Sequence, residues 1–259
     1  MTKHLTVVGT GLITPQHMTL ETQRYITAAD VVLHIVPDPL GVDFLKTLND
    51  NLIYLGDCYK LTDNRRDTYS MMVERIMAKL EQYDSVVAVF YGHPAVFVTP
   101  THEVIELAKA KGYQAKMLPG ISAEDCLFAD LGVDPSTFGL QTCEATYFLV
   151  YDMPLDKHSA VIVWQLGVVG DLTFNSQDIK PSENGLQHLA DKLMKYYPGE
   201  HQVVVYEAAT LPMFKARMDW IKLSQLASLE VTERSTLFIP AIGGRPKDSN
   251  YLSRLTQKE

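Results

Sequence analysis

The sequence predicts an α/β protein made of two α/β halves, and three observations carry that expectation. Short apolar runs alternate with stretches of helical spacing, the rhythm of a mostly parallel sheet covered by helices. Several of the apolar runs end at once in a glycine turn. The length, 259 residues, suits two halves of roughly 120 residues each.

The elements follow in order. Leu5–Val8 is a buried-strand signature ending in Gly9-Thr10-Gly11. Thr19–Ala29 has helical spacing, and Val31–Val36 reads as the next strand, closed by Pro37-Asp38-Pro39. A helix starts near Asp67 as N-cap and buries Met71, Met72, Ile76 and Leu80. Val86–Phe90 is a third apolar strand, and Thr101–Lys111 is a helix stopped by Gly112. Met117–Ser122 reads as a strand end and glycine turn into the helix Ala123–Asp130, with a domain boundary near 115–119. Beyond it the pattern predicts strands at Thr146–Val150, Val161–Gln165, Gln202–Tyr206 and Thr236–Ile239, and helices at Glu183–Tyr197 and Leu223–Leu229. Gly167–Ser182 lacks periodicity and is a candidate loop for covering a substrate. Lys247–Glu259 is polar and charged.

Composition narrows the function. With 46% hydrophobic and 21% charged residues the chain can bury a core without staples. The charge sum, 23 minus 31 or −8, argues against a dominant nucleic-acid surface, which needs clustered Lys and Arg. Cys58, Cys126 and Cys143 form no CxxC pair, so neither a disulfide framework nor a zinc site is expected. The first apolar run is too short for a signal peptide. No stretch approaches the roughly 18 apolar residues of a membrane helix, and the expectation is a cytoplasmic protein without a membrane partner.

Val7–Thr14, VVGTGLIT, invites a dinucleotide-binding reading. Thr14 replaces the third glycine, and Asp30 precedes the second strand, whereas a ribose-binding carboxylate belongs at its end. A glycine turn after the first strand is favoured, and it can still line a ligand cleft at the strand C-termini. Phe90–Phe97, FYGHPAVF, is more specific: a buried strand runs into Gly and Pro and exposes main-chain groups suited to an amino-acid or adenosine moiety. His93 can act as base, metal ligand or loop hydrogen-bonder; no partner at metal-ligand spacing accompanies it, which favours the loop role.

Tyr59, Arg65, Arg66 and Tyr69 form the segment richest in chemistry. If its helix begins before Asp67, Arg65 and Tyr69 are four apart on one side. A guanidinium beside a phenol lowers the phenol's pKa from about 10. The competing reading is a solvated basic turn, and spacing alone favours it, since 13 tyrosines make coincidence easy. Ser122 reads as a helix N-cap or main-chain ligand contact, and Cys126 as core. Trp164-Gln165-Leu166-Gly167 and Tyr206-Glu207-Ala208-Ala209 are two further strand ends able to meet a ligand.

The order VVGTG, FYGHPAVFV, MLPGISAEDCLFADLG, VIVWQLG, VVVYEAA and STLFIP resembles the tetrapyrrole methylase superfamily. FYGHPAVFV, the LPG-SAEDCLFADL pattern and Tyr-x5-Arg-x3-Tyr at Tyr59, Arg65 and Tyr69 resemble one branch, the borosin peptide backbone α-N-methyltransferases, which include the fungal omphalotin-type enzymes. The similarity runs from about Leu5 to Pro240.

This resemblance implies two α/β domains, at 1–117 and 118–245 with a polar tail at 246–259, and S-adenosylmethionine between them, with S-adenosylhomocysteine as product and no metal. It implies cofactor contacts from Tyr91, His93, Val96, Phe97, Ser122, Ala123, Gln165, Tyr206, Ala208, Ser235 and Thr236, and a catalytic trio of Tyr59, Arg65 and Tyr69. It further implies a homodimer carrying two precursors. The chain stops at Glu259 without an apolar core sequence, so the resemblance is to a split form methylating a separate precursor peptide in trans. A methylase of a tetrapyrrole or other small molecule is the alternative enzyme, an RNA methylase a weaker one, and a non-catalytic peptide-binding module the alternative of another class.

Overall fold

A computed structural model describes residues 3–173, 175 and 179–256. Part of the expected 167–182 loop and the last three residues of the expected tail lie outside the described residues. The chain divides into two compact units: Met1–Val133 with Leu172–Ile179 and Glu207–Arg217, and Asp134–Asp171 with Lys180–Tyr206 and Met218–Glu259.

The first unit holds β1 (His4–Gly9), α1 (Leu20–Ala28), β2 (Val31–His34), α2 (Pro39–Leu48), β3 (Leu52–Tyr54), a 3-10 turn (Gly56–Lys60), α3 (Arg65–Gln82), β4 (Ser85–Phe90), α4 (Thr99–Ala110), β5 (Gln114–Met117) and α5 (Ala123–Leu131). Its sheet runs β3-β2-β4-β1-β5 and every pairing is parallel. Because successive residues of a strand point to opposite faces, Val7, Leu33, Ala88 and Phe90 pack under α3 and α4. Val8, Val32, Val87 and Val89 pack against Ile26 of α1 and Leu45 of α2 on the other face. Burial on both faces is why these strands read as continuous apolar runs.

The unit extends to Val133, past the boundary near 117 that the glycine turn suggests. The Leu118 amide donates to Val7 O at 2.8 Å, and Leu118 joins the core of this sheet. Asp30 lies at the opposite end from any ligand cleft: its Oδ2 accepts from Ser85 N at 2.8 Å, stapling the starts of β2 and β4. Pro37-Asp38-Pro39 opens a helix rather than only closing a strand, since Asp38 Oδ1 caps Gly41 N at 2.6 Å with Pro39 in the first turn. The cap of α3 is Asn64, not Asp67; its Oδ1 accepts from Arg66 N at 2.8 Å.

The second unit holds α6 (Pro135–Phe138), β6 (Leu140–Glu144), α7 (Ala145–Val150), β7 (Ala160–Trp164), α8 (Gly185–Leu193), most of β8 (Gln202–Glu207) and β9 (Arg217–Lys222), β10 (Thr236–Ile239) and α9 (Ser249–Thr256). Its sheet, β6-β7-β10-β8-β9, is mixed, because β10 runs antiparallel to both β7 and β8. Its core is Phe148, Val161, Val163, Leu189, Leu193, Val203, Val205, Leu237 and Ile239 with their neighbours.

The expected strand 146–150 is helix α7, and the strand lies just before it as β6. Thr, Tyr, Phe and Val favour strands, but the caps decide. Glu144 accepts from Thr146 N at 2.9 Å and Tyr147 N at 2.6 Å, and Lys192 Nζ donates to Tyr151 O at 2.8 Å and Leu149 O at 3.2 Å. The segment expected as a helix at 223–229 is a 3-10 helix over Leu223–Ser228. Lys247–Glu259 is polar as expected yet forms α9 over Ser249–Thr256.

His34 ends β2, is 4% exposed, and leaves Nδ1 buried without a hydrogen-bond partner among the described residues. Burial, helped by the Lys46 charge, lowers its pKa below the ordinary 6.5. A depressed imidazole pKa means the unfolded chain binds the proton more readily. The stability it carries is therefore whole above 6.5 and is lost as pH falls through the folded value. His34→Leu should flatten the fall of Tm between about pH 7 and about pH 5. An unchanged slope in thermal denaturation would mean that His34 is not a source of the acid sensitivity.

Candidate active site

The site residues of the first unit stand at the C-terminal edge of its sheet, where β1, β4 and the chain after β5 come together. Thr10 N donates to Phe90 O at 2.9 Å, and Gly11 and Gly92 exchange two backbone hydrogen bonds at 3.2 and 2.8 Å. A Cβ on Gly9 would stand 2.3 Å from Gly92 O, and one on Gly120 2.6 Å from the same oxygen. Three main chains approach so closely that no side chain fits between them. The glycine turn after β1 is thus a packing device shared with Gly92 and Gly120. Its signal in the sequence is glycine at or just past the ends of three strands, two of them apolar.

From this junction the segment 91–98 projects. His93 Nδ1 accepts from Ala95 N at 3.0 Å, the loop-shaping role favoured from sequence, and this places the proton of a neutral ring on Nε2. The Thr101 hydroxyl bridges Pro94 O and Val98 O at 2.5 and 2.6 Å, and His102 Nε2 lies 3.1 Å from Ala95 O, so the first turn of α4 fixes the loop. Phe97 is held at φ +56°, a left-handed conformation unfavourable to a bulky residue. Tyr91, Val96 and Phe97 are exposed apolar side chains of this one loop.

The 3-10 turn Gly56–Lys60 carries Tyr59, and its entry is tied to the sheet by Leu55 N donating to His34 O at 2.8 Å. Because α3 begins at Arg65, Arg65 and Tyr69 lie one turn apart on the same side. Tyr59 and Tyr69 share a hydrogen bond between their hydroxyls, and Arg65 is close enough to act electrostatically on Tyr59. The arginine does not win at Tyr59. Burial, then the neighbouring phenols of Tyr69 and Tyr91, push the Tyr59 pKa well above that of an ordinary phenol against the opposing pull of Arg65. At neutral pH Tyr59 is therefore a protonated donor. Both tyrosines line a narrow cavity of about 50 Å³ with Met72, Phe90, Tyr91 and Phe97. The structure therefore brings two of the catalytic candidates together with two of the cofactor candidates.

Ser122 is the N-cap of α5 in a full capping box. Its amide donates to Asp125 Oδ2 at 2.7 Å, and Asp125 N donates to Ser122 Oγ at 3.3 Å. With those groups engaged, the Ala123 amide beside it has no partner among the described residues. A wider open groove of about 500 Å³, lined by His17, Ile121, Asp125 and Cys126, shares no residue with the phenol cavity. Burial and the carboxylates of Asp130 and Asp125 raise the Cys126 thiol to about 11, an unreactive state at neutral pH. Ala208 follows β8 within the first unit, after Glu207, whose buried carboxylate pairs with Arg217 at 2.9 Å.

In the second unit, Gln165, Tyr206, Ser235 and Thr236 gather at one end of the sheet. Gln165 follows β7, Thr236 opens β10 opposite Tyr206, and Leu166 N donates to Ser235 O at 3.1 Å. Gln165 is held at φ +62°. Of the three non-glycine residues with positive φ among those described, Phe97 and Gln165 are both candidate cofactor residues, and strain of this kind marks ligand sites. The expected 167–182 loop returns to the first unit at Leu172–Ile179, where Asn175 bridges to Asn64, the cap preceding Arg65.

Known proteins extend this picture. The chain is 41% identical over 240 residues to a methyltransferase/type I borosin cyclic peptide precursor of Coprinopsis marcescibilis, covering 91% of this chain and 61% of that protein. It is 40% identical over 255 residues to the methyltransferase/omphalotin A precursor of Omphalotus olearius, covering 97% and 61%. The chain thus spans about three-fifths of the length of these relatives. A uroporphyrin-III C-methyltransferase of Thermus thermophilus shares the fold, at TM-score 0.64 and 18% identity over 92% of this chain and 94% of that one. The same enzyme is known in complex with S-adenyl homocysteine. The relatives bear out the borosin-type resemblance, and the fold bears out the expected α/β architecture. With residues 4–219 matching the model of the tetrapyrrole (corrin/porphyrin) methylases, the chain belongs to that family.

Proposed function

We propose that this chain is an S-adenosylmethionine-dependent methyltransferase that methylates backbone amide nitrogens of a precursor peptide supplied on a separate chain. The observation that carries this reading is the Tyr59–Tyr69 hydroxyl pair beside Arg65, opening onto a cavity shared with Tyr91 and Phe97. The names of the relatives, methyltransferases fused to peptide precursors, support a peptide as substrate.

The residues present fit the cofactor. The exposed faces of Tyr91, Val96 and Phe97 suit a flat apolar ring system, and the unpartnered Ala123 amide can donate to its polar edge. S-adenosylmethionine supplies an electrophilic methyl group on a sulfonium. A backbone amide nitrogen is a weak nucleophile because its lone pair is delocalised into the carbonyl, so the chain must remove the N–H proton and hold the charge that moves to oxygen. Tyr59, a donor at neutral pH, and Arg65 hold that oxygen. Tyr69 Oη, which faces the Tyr59 hydroxyl, takes the amide proton while its own passes to water. With the cofactor bound, the amide nitrogen freed of its proton would accept the methyl group, and S-adenosylhomocysteine would be the leaving product. The adjacent Met213 and Phe214, both exposed in the first unit, support a homodimer as the working assembly.

Co-production with the protein encoded beside it, followed by mass spectrometry, tests the reading. Mass gains in steps of one methyl, located on backbone nitrogen by fragmentation, are expected. Peptide binding without any gain would favour a non-catalytic binding module, and methylation of a tetrapyrrole instead would make this a ring methylase.

A further inference from the structure

We propose that Asp57 and Arg75 are a positioning pair, setting the rate of methyl transfer by fixing where the Tyr59 hydroxyl stands relative to Tyr69. The inference rests on the reading of Tyr59 as the donor that holds the amide oxygen.

Tyr59 sits on a five-residue 3-10 turn, a weakly bonded element. Within it the backbone supplies only short-range ties, Cys58 N to Leu55 O at 3.1 Å and Leu61 N to Cys58 O at 3.2 Å. The residues that lead on to α3 include exposed Leu61, Asp63 and Asn64 and give little packing. Tyr69 and Arg65, by contrast, stand on an 18-residue helix packed against the sheet. The turn and the helix must therefore be held in register by side chains. Along α3, Arg65, Tyr69, Met72 and Arg75 follow one another at spacings of four, three and three residues, one continuous ridge. Tyr59 meets this ridge at Tyr69. Asp57, two residues earlier, meets it at Arg75, with Oδ1 and NH1 2.5 Å apart. Cys58 between them is fully buried in the core under α3. The turn is thus clamped at both ends of a three-residue span.

The pair is 34% and 49% exposed at its side chains, so screening makes it a minor contributor to stability. Orientation is the more sensitive quantity, since a displacement of about 1 Å in a catalytic group can cost about a hundredfold in rate.

The experiment compares Asp57→Asn, Arg75→Gln and the charge-exchanged Asp57→Lys/Arg75→Glu protein, each also in a Tyr59→Phe background. Methyl transfer from labelled cofactor to a synthetic peptide with an apolar C-terminal run is followed, together with Tm and cofactor affinity. Either single variant should lose about tenfold or more in kcat, with cofactor affinity and Tm near wild type, and the charge exchange should restore most of the rate. In the Tyr59→Phe background Asp57→Asn should cost nothing further, because there is no longer a hydroxyl to place. Ultraviolet titration should show one additional phenol ionising near its ordinary value of about 10 in Asp57→Asn, as the loosened turn lets water reach Tyr59. Equal losses in both backgrounds, or an undiminished rate in Asp57→Asn beside an impaired Tyr59→Phe, would overturn the positioning role. An undiminished rate in Tyr59→Phe itself would overturn the role given to Tyr59, a distinct result.

Discussion

Arg65→Ala and Tyr69→Phe are each expected to remove nearly all methyl transfer while leaving cofactor affinity within a few-fold of wild type. The loss of one preorganised group facing a developing oxyanion costs about 10²–10³ in rate, and loss of a proton-accepting group about 10²–10⁴. Neither change should unfold the protein. Tyr69 is half-buried, and Tyr69→Phe deletes only a hydroxyl whose hydrogen bond is worth about 1 kcal/mol. Arg65 makes no ion pair or hydrogen bond with another described residue, so truncating it strands no buried partner. Arg66 provides the contrast: it is exposed, its amide already caps to Asn64, and Arg66→Ala should hurt far less. Single-turnover methylation with calorimetric cofactor titration reads both quantities. Retention of the wild-type rate by both variants would remove the trio from the chemistry.

Gly9→Ala should be among the most destabilising single changes in the chain, costing about 3 kcal/mol or more. The added methyl would lie 2.3 Å from Gly92 O and 2.8 Å from Pro94 Cδ, with β1 and β4 hydrogen-bonded along their whole register and unable to part. Gly120→Ala meets the same oxygen at 2.6 Å and Gly9 Cα at 3.1 Å, and should behave alike. Any relaxation must move the 91–98 loop, so cofactor affinity should fall with stability. Gly243→Ala is the control: its methyl meets nothing within 4 Å and its φ is not positive. Urea denaturation of the three variants decides the matter, and wild-type stability in Gly9→Ala would mean that the three main chains are not so close.

The first unit was largely legible in the sequence because its central strands are buried on both faces and therefore write themselves as apolar runs. The periphery was not. β3, β5, β6 and β9 have mixed burial patterns, as in the alternation of exposed and half-buried residues along Gln114–Met117. At Ala145–Val150 the intrinsic preference pointed to a strand, and two side chains, the adjacent Glu144 and the distant Lys192, overrode it. The same division runs through the site. Arg65 and Tyr69 are a local pair, visible as a spacing of four once the helix start is placed. Tyr59 reaches them only through the tertiary course of the 3-10 turn. The direction of its pKa shift is not legible either, because a sequence displays the arginine nearby but not the depth at which the phenol is buried.

The first unit is assembled from three separate stretches of chain, the last of them Glu207–Arg217. During synthesis it cannot be completed until 207–217 has left the ribosome, by which time 134–206 has already emerged. A gene cut after codon 133 would likewise encode a fragment missing two of its own pieces, so the boundary between the units is not a place where this polypeptide can be divided into independently folding products.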